Sequence, residues 1–131
     1  MANPNLLAAT TASGTTAYLT PGGTTALVLI RNTSTSGTVL KINQIVAANV
    51  SNSAAANTTV SVYTNGGVAP GSAPSGGTAY PIVSVVSVPT NASLIVTDKT
   101  TAIYLMEDQS ISVTSGTASA ITYTISYEVI S

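Results

Sequence analysis

The closing stretch ASAITYTISYEVI, residues 118–130, decides the fold class. Ile121, Tyr123, Ile125, Tyr127 and Val129 alternate strictly with Thr122, Thr124, Ser126 and Glu128. An apolar residue at every second position over that length marks a strand with one face on a core and the other toward water. Tyr123 and Tyr127 lie on the apolar face, so both are expected to pack in the core; Tyr18, Tyr63, Tyr80 and Tyr104 stay undecided.

The same alternation runs through VLKINQIVAANV, residues 39–50. Leu40, Ile42, Val46, Ala48 and Val50 fall on one face, and Lys41, Asn43, Ala47 and Asn49 on the other. Gln44 interrupts the apolar face and Ile45 the polar one, which predicts a bulge or a change of face. Shorter β-prone runs cover residues 15–20, 25–32, 58–64, 78–88, 93–97, 102–105 and 110–115. Turn signals recur between them at intervals of roughly eight to twelve residues, the spacing of an all-β sandwich or barrel. They include Pro21-Gly22-Gly23, residues 34–37 and residues 51–57. Asn65 opens a longer loop, GGVAPGSAPSGG, whose composition supplies no core element and suits a mobile or partner-ordered surface excursion. Pro81 within a strand-like run favours a sheet edge. TTAYL, TTALVL and TTAIYL, starting at Thr15, Thr24 and Thr100, are one local way of entering a strand and not a solenoid repeat.

With 131 residues the chain is long enough for one core. The expectation is an all-β protein, a single antiparallel β-sandwich of jelly-roll or immunoglobulin-like type with little or no helix. Residues 1–13 form an N-terminal arm or edge strand, and residues 14–131 one sandwich domain with a long loop at about 65–78. The core has neither Phe nor Trp, so small β-branched side chains, Leu, Ala and Tyr must fill it.

Composition also excludes functions. Ser and Thr supply about three residues in ten, while charged residues fall to 5 % against about 25 % in ordinary domains. Arg31, Lys41 and Lys99 are the only cations, too few to neutralise a run of phosphates, so nucleic acid is not an expected partner. The opening MANPNLLAATT has no secretory pattern and nowhere do 18 apolar residues run together, so no membrane association is expected. Without His or Cys there is no Ser-His or Cys-His nucleophile and no ordinary zinc site.

The remaining question is the acidic residues. Asp98-Lys99 and Glu107-Asp108 each link two apolar runs within residues 93–113. Carboxylate catalysis needs the pair in one cleft with one acid shifted by burial. If the flanking runs are antiparallel neighbours, the two links lie a strand length apart, roughly 15 Å for five residues, and act as solvated turns. The calcium-loop spacing is absent too. No catalytic residue, metal or cofactor is expected. Asn32, Asn49, Asn57 and Asn91 begin N-x-[ST] triplets, a frequent accident in a hydroxyl-rich chain.

MANPNLLAAT, VLKINQIVAANV, ASLIVTDKTTAIYLMEDQSISV and TYTISYEVIS together resemble small β-sandwich virion structural proteins of tailed, especially marine, bacteriophages. The resemblance spans nearly the whole chain and carries no catalytic residues. It implies a non-enzymatic particle component made in the host cytoplasm: a decoration or cement protein on the capsid exterior, or else a neck, tail or fibre-associated protein, with a carbohydrate-binding module as a more distant reading. The implied partners are the major capsid protein and further copies of the chain, as a homotrimer at local three-fold sites. Within that reading Asn3, Pro4, Asn5, Leu6 and Leu7 form the interface arm, since Asn3-Pro4-Asn5 resists helix and the two leucines offer apolar contact.

Overall fold

The computed structural model describes residues 4–131. Among these residues nine strands form two antiparallel sheets: β1 (Ala12–Leu19), β2 (Leu27–Asn32), β3 (Val39–Asn49), β4 (Ala56–Tyr63), β5 (Ala79–Val88), β6 (Ser93–Thr97), β7 (Ile103–Leu105), β8 (Gln109–Ser115) and β9 (Ile121–Ile130). The first sheet has the order β1-β9-β3-β6, with β7 also on β3, and the second the order β2-β8-β4-β5. Each strand of the first half thus pairs with one of the second half: β1 with β9, β2 with β8, β3 with β6 and β7, β4 with β5. The chain is one long antiparallel ribbon rolled into a sandwich, and of the two expected types it is the jelly roll. Among the described residues the only helical element is a 3-10 turn at Lys99–Thr101, and no helix is long and apolar enough to cross a membrane.

The core lies between the sheets. Ile121, Tyr123 and Ile125 of β9 are fully buried, while Tyr127 and Val129 pack against the cluster from its margin. The alternation of β9 is therefore realised as read. Strand β3 has the bulge and change of face expected near Gln44-Ile45, and only the facing of residues 46–50 differs from the alternation read. Its ladder with β9 slips between Ile42 and Gln44, leaving Asn43 as the extra residue of a bulge. Beyond it the inward positions become Ile45, Ala47 and Asn49, and Val50 is left 53 % exposed. Val46 and Ala48 accordingly belong to the outer face, because one inserted residue exchanges the faces of everything after it.

Tyr123 is the largest fully buried side chain, and its hydroxyl reaches across the core to Thr58 Oγ1 and donates to the Thr114 carbonyl at 2.8 Å. Burial raises its pKa above the ordinary 10.0, opposed in part by the Thr58 contact, and burial raises that of Tyr127 as well. A folded-state pKa above the unfolded value means stability intact below pH 10.0 and lost as pH rises past it. Tyr123→Phe is expected to cost about 1–3 kcal/mol at neutral pH, from two polar partners left unpaired. It also flattens the alkaline fall in stability, measured by urea melts between neutral pH and pH 11, about one unit above the ordinary tyrosine value.

Candidate functional site

Most of the unusual chemistry gathers at one end of the sandwich. The starts of β1, β3, β5 and β8 and the ends of β2, β4, β7 and β9 meet there, as pairs such as Asn32 with Gln109, Tyr63 with Ser110 and Ala12 with Ile130 show. Three connections and both ends of the described chain are therefore neighbours.

Glu107 and Asp108 staple this end. Glu107 Oε1 accepts from the Gly37 amide at 2.7 Å, in the β2–β3 connection, and Asp108 Oδ1 accepts from the Gly66 amide at 3.1 Å, in the β4–β5 connection. Asp108 has φ 59°, a left-handed conformation that Asp adopts more readily than most residues. Asp98 lies elsewhere. β6 and β7 are successive segments of one edge strand along β3, not antiparallel neighbours as the sequence suggested, and Asp98 caps the 3-10 turn that interrupts them. Its carboxylate accepts from the Thr100 hydroxyl and amide, which lowers its pKa. The acidic links are thus kept apart by β7, about 10 Å of strand, and each satisfies main-chain donors. Among the described residues no three acids gather to hold a metal.

The long loop is tied down by its own chain. Gly71 N donates to Val28 O at 2.8 Å and Val28 N to Ser72 O at 2.9 Å, so the loop covers part of the outer edge of β2. Arg31 Nη1 holds Gly67 O at 2.9 Å, and Gly77 N donates to the Tyr63 hydroxyl at 3.0 Å. The order that composition left to a partner comes from backbone pairing. Tyr63 is consequently buried and no sugar platform, whereas Tyr18, Tyr80 and Tyr104 are exposed.

Two buried asparagines close the two ends. Asn32 Nδ2 donates to Thr38 O and Leu105 O, while its Oδ1 accepts from the Ser36 and Thr38 hydroxyls. At the opposite end Asn49 Nδ2 donates to Ala54 O and Val88 O, and its Oδ1 accepts from Ser51 N. At 3 % and 2 % exposure, neither is an accessible glycosylation acceptor in the folded chain.

The N-terminal arm runs beside this machinery. Asn3 lies outside the described residues; Pro4 is half-buried and Asn5 exposed. Asn5 Oδ1 accepts from Leu7 N at 3.0 Å and Asn5 O from Ala8 N at 3.0 Å, a tight turn that holds Leu7 97 % exposed. Leu6 borders a shallow groove of about 430 Å³ on the outer face of the first sheet, with Tyr104 and Ile130 also among its lining residues. In the same lining Lys41 Nζ stands 3.9 Å from Glu128 Oε2, a half-exposed pair that leaves the groove without net charge. Sequence reading missed this juxtaposition. Lys41 and Glu128 were visible as polar-face residues, but only the register of β3 between β9 and β7 sets Glu128, Lys41 and Tyr104 in one row. The arrangement offers apolar contact and hydrogen bonds. Comparison of the chain with family models, curated proteins and solved structures returns no match.

Proposed function

We propose that the chain is a non-enzymatic virion structural protein, a capsid decoration or cement protein that binds the major capsid protein on the shell exterior. The observation that carries this reading is the arm: a turn anchored on Asn5 presents Leu7 almost wholly to solvent, with Leu6 47 % exposed beside a groove. Two adjacent leucines held outward cost solvation in the lone protein and gain it against an apolar partner surface. The low charge of the chain, net −1, imposes little repulsion between many closely spaced copies. The resemblance to small phage virion proteins supports the same assignment. The mechanism is mechanical: surface buried across capsomer boundaries adds binding free energy to the closed shell.

Copy number in purified particles, from quantitative mass spectrometry, is the test. About one chain per capsid subunit agrees with lattice decoration, while on the order of one per hundred places it on the neck, tail or fibres and overturns the decoration reading. Replacing Leu6 and Leu7 by Ser is expected to weaken binding to stripped capsids by about 30-fold or more, the effect of losing an apolar anchor. The same change leaves stability within about 0.5 kcal/mol, because these side chains are outside the core.

A further inference from the structure

A sandwich of open sheets has four edges, and three of these are obstructed. The β2 edge is covered at Val28 by Gly71 and Ser72. The β5 edge carries Pro81, two register shifts against β4, and Val85 at φ 52°, a conformation hostile to a β-branched residue. The β6–β7 edge is broken by the 3-10 turn and carries Asp98 and Lys99. The fourth is different. β1 pairs with β9 through eight consecutive residues without a shift, and ASGTTAYL contains no charge and no proline.

The parity of its hydrogen bonds shows what this edge offers. Thr11 and Ser131 exchange both of their main-chain bonds. In an antiparallel ladder such pairs alternate, so Ser13, Thr15, Ala17 and Leu19 face β9 and Ala12, Gly14, Thr16 and Tyr18 direct N–H and C=O away from it. None of these four has a main-chain partner on that side among the described residues.

We propose that β1 pairs antiparallel with β1 of a second copy, about a two-fold axis through Thr15. In this register Ala12 faces Tyr18 of the other copy and Gly14 faces Thr16, so all four outward residues of each strand find main-chain partners. The side chains match as well. Tyr18, 79 % exposed, falls opposite the methyl of Ala12 and diagonal to Gly14, where an added Cβ would have nothing within 4 Å. An aromatic ring laid across an edge glycine is a recurrent stabilising pair in sheets. Uncharged strands meet without repulsion. An edge that pairs with itself closes on a two-fold axis, so the proposed state is a dimer, whereas the resemblance implies a homotrimer. The inference does not depend on the virion assignment.

Sedimentation equilibrium on the full chain, combined with concentration-dependent amide exchange, tests it. The expected result is a dimer in which the amides of Gly14, Thr16 and Tyr18 become protected as concentration rises. The double variant Gly14→Lys with Thr16→Lys sets lysines against lysines and is expected to be monomeric. Gly14→Glu with Thr16→Lys sets opposite charges across the same pairs and is expected to remain dimeric, which controls for damage to β1 itself. Far-ultraviolet circular dichroism confirms that both variants fold. A monomeric wild type, an oligomer whose β1 edge amides stay unprotected, or equal dimerisation of the two charge variants overturns the proposal.

Discussion

Gly66→Ala is expected to destabilise the protein by at least about 4 kcal/mol, an effect at the extreme end for one added methyl group. A Cβ at this position would stand 2.1 Å from Asn32 O, 2.9 Å from Asn32 C and 3.0 Å from Gln109 N. All three are main-chain atoms, and Asn32 and Gln109 are paired at the junction of β2 and β8. No rotamer change relieves the overlap. Either the β4–β5 loop lifts away, losing the Gly66–Asp108 hydrogen bond and the Arg31 contact to Gly67, or the β2–β8 pair opens at its end. Gly22→Ala is the matched control, since its Cβ would meet nothing within 4 Å, and its effect is expected to stay within about 0.5 kcal/mol. Urea denaturation of the two variants side by side makes the comparison; a Gly66→Ala midpoint equal to that of the control would show that the loop has another way to seat.

The same glycine shows where sequence reading stops. Asn65-Gly66-Gly67 is legible as a turn, but that the first glycine is forced by the backbone of Asn32, 34 positions earlier, depends on how the ribbon rolls. What the sequence does carry is local. The alternation of β9 matches its burial from Ile121 to Ile125, beyond which every residue of the strand is half-buried, and Gln44-Ile45 announces both the bulge in β3 and the change of face that follows it. Pro81 on an edge strand follows directly from its missing donor. Long-range pairing was the hidden part. β6 and β7 read as two strands joined by a turn because Asp98-Lys99 looks like any polar link, and nothing local says that both lie along β3. The groove beside the arm was hidden for the same reason, whereas Leu6 and Leu7 were legible as two apolar residues in a segment with no periodicity to bury them.

Asn49→Asp is expected to cost about 3–5 kcal/mol at neutral pH, the range for an uncompensated charge in a buried site. The change is nearly isosteric, so packing is not the cause. Asn49 Nδ2 stands 3.0 Å from Ala54 O and 2.9 Å from Val88 O, while Oδ1 takes the Ser51 amide at 2.9 Å. Two carbonyls on one side and an N–H on the other require an amide there, since a carboxylate has no proton for the carbonyls. Aspartate directs a charged oxygen at two acceptors, with the site 2 % exposed and no cation among its partners. Acid relieves part of the penalty, because the protonated carboxyl regains one donor. Asn49→Ala, which removes the side chain without adding charge, is expected to show a cost that does not vary with pH. The corresponding Asn32→Asp faces Thr38 O and Leu105 O at the other end, far enough away for the two effects to add. Together they approach the whole stability of an ordinary domain, about 5–15 kcal/mol, so the double variant is expected to be unfolded at neutral pH. Melts of the single variants at pH values from about 4 to 7, spanning the ordinary carboxylate range and above, test this account, and a penalty for Asn49→Asp no larger at neutral pH than in acid would rule out charge at the amide site as its source.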